Sequence, residues 1–180
     1  AKAHEINKSR NTSHSINHME EEINDLAIES LALLAPVASD LRKVIAAIKI
    51  ASELERIGDY AKNISKFLIK NDHLTDIVCD YAISMEKDLI GMLEKAMQCM
   101  VDQDEEAAFA IPESDHRINQ QMKDIREKLL SQNDVDKEQL LDELFEISAM
   151  LRNIERAGDH VKNICEHILY MMKGQHYDFG

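Results

Sequence analysis

Two short runs hold the residues with chemistry to offer. Glu55, Asp59 and Asn63 stand four apart in "ERIGDYAKNI" (Glu55 to Ile64), and one hundred residues later Glu155, Asp159 and Asn163 do the same in "ERAGDHVKNI" (Glu155 to Ile164). Seven of the ten positions are identical. On a helix each residue advances about 100°, so with Glu55 at zero Asp59 falls near 40° and Asn63 near 80°. Ile50, Leu54, Ile57, Ala61, Ile64 and Leu68 fall between roughly 180° and 260°, which predicts an oxygen-bearing stripe turned away from an apolar core. Mg²⁺, Mn²⁺ or Fe ions take carboxylate and carbonyl oxygens, and a bound cation relieves the repulsion of carboxylates held together. The alternative is a solvated helix face, because this spacing is common in acidic helices. Arg56 and Arg156 lie near 100° on the same wheel and could pair with the carboxylates in place of a metal.

Gly58 and Gly158 fall near 300°, between stripe and core. A glycine inside a helix costs up to about 1 kcal/mol relative to alanine, so a compensating close approach by a neighbouring helix is expected. The neighbour is the preceding helix of each copy, with Asn17 in the first and Asp115 and Asn119 in the second. Two antiparallel helices could bring four or five oxygens to a common point.

The elements that must position these groups are helices. Apolar residues recur at three- and four-residue steps along most of the chain, and no strand-like alternation competes. Helices are expected over about 2–34, with "NTS" at Asn11 to Ser13 as a break or bend, and over about 37–70 after the boundary set by Pro36. "NDH" at Asn71 to His73 is turn chemistry before a helix over about 74–100. A short piece runs from about 105 to Ile111, Pro112 interrupts, a helix continues to about 131, and a last one spans about 137–173 with Gly174 as its C-cap. Aligning the decapeptides lays Leu41–Lys70 over Leu141–Tyr170, and "SHSIN" at Ser13 matches "DHRIN" at Asp115. The chain is therefore an internal duplication of a helical unit, with a first repeat over 1–72 and a second over 73–180. The second has three helical pieces and the first only two, so the first lacks a leading helix.

With 21 Lys and Arg against 34 Asp and Glu the formal charge is −13, which disfavours nucleic acid and anionic lipid as partners. No apolar run approaches the length of a membrane span, and no signal peptide is evident. Cys79, Cys99 and Cys165 show no paired spacing and fit a reduced interior better than a disulfide or zinc site. His14 and His18 are spaced to share a zinc ion, but the second copy has no matching pair. The methionines read as core filler, and no nucleophile with its base, phosphate-binding glycine loop or C-x-x-C occurs, so a non-enzyme is expected.

"APVASDLRKVIAAIKIASELERIGDYAKNI" (Ala35 to Ile64) and "LRNIERAGDHVKNICEHILYMMKGQ" (Leu151 to Gln175) resemble the PhoU family of phosphate-signalling accessory proteins. The resemblance covers nearly the whole chain. It implies an all-α fold of tandem three-helix bundles. It also implies a cytoplasmic negative regulator of phosphate uptake and the starvation response, working through the phosphate ABC transporter and a sensor histidine kinase. Some members hold surface metal ions on E/D-x-x-x-D motifs, which on matching positions implies Glu55, Asp59 and Asn63 as one site and Glu155, Asp159 and Asn163 as another. Asp115 and Asn119 match the acidic motif of the middle helix. The metal would be Fe, Zn, Mn or Mg. Ser13 stands where that motif has an aspartate, and the absent leading helix would leave apolar surface that favours a homodimer. Any attachment to the inner membrane would run through protein contacts. Two other functions compete: the PhoU-like cytoplasmic domain of a sodium/phosphate cotransporter, and a carboxylate-bridged metalloenzyme, whose inward Glu-x-x-His pairs contrast with two outward stripes that lack histidine at that step.

Overall fold

The computed structural model describes residues 2–71, 76–131 and 137–180, and its described elements are helical: α1 (Lys2–Leu34), α2 (Ala38–Lys70), α3 (Asp76–Asp102), α4 (Glu105–Ala110), α5 (Asp115–Leu130) and α6 (Lys137–Lys173), with a 3₁₀ turn at Pro112–Ser114. Both prolines stand at boundaries. Pro36 separates α1 from α2, and Pro112 opens the 3₁₀ turn, where its missing N–H is no loss. The expected break at Asn11–Ser13 does not occur. Ser13 is buried inside a continuous α1 and its hydroxyl is taken up by Asp59 on α2, so a tertiary contact absorbs the group that would otherwise compete for local backbone. The turn residues Asp72 and His73, and Leu74 at the expected start of the next helix, lie outside the described residues.

Helix ends are closed by specific bonds. Gln103 takes φ +53°, Asp104 N–H donates to Cys99 O at 3.2 Å, and the Asp104 carboxylate then accepts from Ala107 N–H at 3.0 Å to start α4. One residue thus closes one helix and caps the next. Gly174 takes φ +70° and donates to Tyr170 O at 2.9 Å, ending α6 as its position in the sequence predicted. After it the chain folds back, and Tyr177 and Phe179 set their rings edge-on to Phe109, with centroids at 4.9 and 6.1 Å.

The long helices α2 and α6 pack on each other along the middle of the molecule. Helix α1 flanks α2, while α3 and α5 flank α6. In the second repeat α3 covers the groove between α5 and α6, so Ile118, Ile125, Ile154, Val161 and Ile168 are all fully buried. Their counterparts in the first repeat are Ile16, Ile23, Leu54, Ala61 and Leu68. None of these is fully buried, and Met19 and Ile23 are 50% and 37% exposed. Between α1, α2 and the near side of α3 this leaves an apolar groove of about 630 Å³, lined by Met19, Ile23, Leu54 and Ile90 among others. The groove lies where the second repeat has its covering helix.

Candidate functional site

Each acidic stripe lies where the last helix of a repeat meets the helix before it. On α2 the ammonium of Lys62, one turn beyond Asp59, bonds Asp59 Oδ1 and donates to Ser13 Oγ at 3.1 Å, and Ser13 Oγ donates to Asp59 Oδ1 at 3.3 Å. This closes a triangle between α1 and α2. On α6 the same position is used again: Lys162 Nζ lies 2.9 Å from Asp159 Oδ1, 3.5 Å from Asp115 Oδ2 and 2.6 Å from the carbonyl oxygen of Gly180 in the returning tail. Asn119 Nδ2 donates to Asp115 Oδ2 at 2.9 Å, and Asp115 Oδ1, buried, has no hydrogen-bond partner. Electrostatics follow the geometry. Lys62 holds the Asp59 carboxyl below its usual value, with Ser13 helping. Burial works against the charge on Lys162, but Asp159 and Asp115 outweigh it and raise its pKa.

The glycines admit the neighbouring helices. A Cβ on Gly158 would stand 2.8 Å from Asp115 Oδ1, and a Cβ on Gly58 would stand 2.8 Å from Ile16 Cδ1. The wheel placed these glycines beside the stripe, and in both repeats the middle helix uses the space. In the second repeat the group brought in is a carboxylate; in the first it is a methyl group.

The structure does not gather all the sequence-derived residues at one point. Glu55 meets the Arg56 guanidinium at 3.8 Å, as the wheel allowed, and Asn63 is exposed. Glu155 is half-buried, and Asp159, Asp115 and Asn119 surround Lys162 directly or through Asp115. Asn163 turns the other way and donates to Glu53 Oε2 at 3.2 Å across the α2–α6 interface, because its side chain lies next to α2 once the repeats pack together. His14 and His18 are exposed, and His18 faces Glu22 at 3.8 Å. Among the described residues no three His, Cys, Asp or Glu side chains converge on one point as ligands. With an ammonium already between Asp115 and Asp159, the residues as arranged do not fit a resident metal ion.

One cluster had no sequence signal. Glu53 on α2 is shared by His160 Nδ1 at 2.5 Å, Asn163 Nδ2 at 3.2 Å and His167 Nε2 at 3.5 Å, all on α6, with the His160 ring 5.5 Å from that of Tyr60. Burial alone would push the Glu53 carboxyl up, but His167, His160 and Asn163 outweigh it and hold it at about 2. Because the folded value is depressed from 4.5, the stabilisation is fully present above pH 4.5 and is lost as the pH falls toward 2. Acid unfolding followed by circular dichroism is therefore expected to cost the wild-type chain of order 1–3 kcal/mol more between pH 5 and 2.5 than it costs Glu53→Gln. Parallel losses in the two proteins would contradict this role.

Comparison with known proteins bears on the family and the fold. A family model described as the PhoU domain matches residues 2–68 and 82–168. The chain is 33% identical over 161 residues to the phosphate-specific transport system accessory protein PhoU of Serratia marcescens, covering 89% of this chain and 66% of that protein. To the protein of the same name in Escherichia coli K12 it is 31% identical over 166 residues, covering 91% and 68%. The chain thus spans about two thirds of the length of these curated relatives. The crystal structure of PhoU from Pseudomonas aeruginosa superimposes with a TM-score of 0.84 at 26% identity, covering 94% of this chain and 82% of that one. That of the phosphate transport system regulatory protein PhoU from Streptococcus pneumoniae gives 0.82 at 25% identity, covering 96% and 81%.

Proposed function

Since the chain belongs to the PhoU domain family, we propose that it is a non-enzymatic, cytoplasmic regulator that damps phosphate uptake and the phosphate-starvation response by binding a phosphate ABC transporter and its sensor histidine kinase. The observation that carries this reading is the match of both repeats to a family whose named members are accessory proteins of phosphate-specific transport. The physical features are compatible with it. The two stripes hold Asp59 and Asp159 partly exposed on a packed scaffold, and their residues include no nucleophile paired with a base. Among the described residues no helix is long and apolar enough to cross a membrane, and a net charge of −13 opposes adhesion to anionic lipid. Contact with a membrane system therefore runs through proteins. The net charge of −13 favours basic partner surfaces, so binding weakens as ionic strength rises.

Affinity capture of the tagged chain from detergent-solubilised membranes of its own host tests the partners. Transporter subunits and the histidine kinase are expected by mass spectrometry at low salt, with recovery falling as salt is raised. Recovery of neither contradicts the proposal. A polypeptide in the host carrying this chain fused to membrane-spanning segments would point instead to a sodium/phosphate cotransporter domain.

A further inference from the structure

We infer that Lys62 and Lys162 are the resident cations of the two acidic stripes, so that a divalent ion reaches these carboxylates only by displacing a lysine. The arrangement occurs twice, in independent halves of the chain. In each, the lysine retained within the repeated decapeptide reaches back one turn to the aspartate and across to the neighbouring helix: Lys62 to Asp59 and Ser13, Lys162 to Asp159 and Asp115.

An ammonium has three N–H donors. Lys162 has three acceptors around it, Asp159 Oδ1, Asp115 Oδ2 and the Gly180 carbonyl, all of the hard oxygen type that a divalent ion would otherwise take. The lysine is tethered to the same helix as Asp159, so it competes at a high effective concentration that a free ion must overcome.

The two stripes differ in what displacement would release. Behind Lys162 lie two carboxylates, and Asp115, 5% exposed, keeps Oδ1 without a hydrogen-bond partner. Behind Lys62 there is one carboxylate and the Ser13 hydroxyl. Emptying the second stripe therefore creates the stronger divalent-ion site.

The test is Mn²⁺ binding to chelator-stripped protein, by isothermal titration with the free ion counted by electron paramagnetic resonance. Lys162→Gln is expected to bind Mn²⁺ at least about tenfold more tightly than the wild-type chain, and Lys62→Gln to gain clearly less. Equal affinity in Lys162→Gln and wild type, or a larger gain in Lys62→Gln, overturns the inference.

A second measurement needs no variant. In metal-free wild-type protein, Lys62 and Lys162 should be acetylated by an amine-reactive ester far more slowly than the exposed Lys70, read by mass spectrometry. Excess Mn²⁺ should raise their reactivity as it displaces them. Reactivity equal to that of Lys70 without metal, or protection unchanged while Mn²⁺ is bound, overturns it.

Discussion

Truncating Ile154 to alanine should cost about 3–4 kcal/mol of unfolding free energy, against about 1–2 kcal/mol for Leu54→Ala at the equivalent position of the first repeat. Both residues sit on the inner face of the last helix of a repeat, one hundred residues apart. Ile154 is fully buried beneath α3, and the surrounding core cannot collapse into the space its side chain leaves. Leu54 lines the open groove, so truncation there removes contacts on one side only and creates no closed cavity. Urea unfolding of the two variants measures the difference directly. Equal losses would mean that the first repeat is packed as completely as the second.

Gly158→Ala should be the next most damaging change, at about 1–3 kcal/mol, while Gly58→Ala should be neutral or stabilising by up to about 1 kcal/mol. Both replacements improve helix propensity by the same amount, so any difference must come from the neighbours. At Gly58 the obstruction is the terminal methyl of Ile16, a flexible side chain beside the groove, which can rotate away. At Gly158 it is the carboxylate of Asp115, buried and held on its other oxygen by Asn119 and Lys162. Moving it breaks bonds that a buried carboxylate needs. Thermal melts of the two variants should therefore shift in opposite directions or by clearly unequal amounts. Matching destabilisation would show that Asp115 is free to move.

The helical architecture was legible because its signals are local. Apolar spacing marks the long helices, Pro36 and Pro112 mark two boundaries, and Gly174 marks the end of α6. The duplicated decapeptide located the stripes, and the wheel position of Gly58 and Gly158 foretold the close approach of the middle helices. Two features of the site escape that pattern. The lysines are among the seven retained positions, so their signal was present; the i, i+4 spacing of the carboxylates hides it, because a long side chain reaches back to the aspartate over an i+3 step. The Glu53 cluster had no such signal. The first repeat carries Tyr60 and Phe67 where the second has His160 and His167, and only the packing of α2 on α6 brings Glu53 to them. The same packing draws Asn163 out of the stripe, which a wheel drawn for one helix cannot foresee.

The most direct test of the proposed role is expression from a phosphate-responsive promoter in phosphate-replete cells of the host, measured with the gene deleted and then restored. A chain that damps the starvation response predicts expression that rises on deletion and returns to the repressed level when the wild-type gene is supplied in trans. A reporter that stays repressed in the deletion strain would contradict the account.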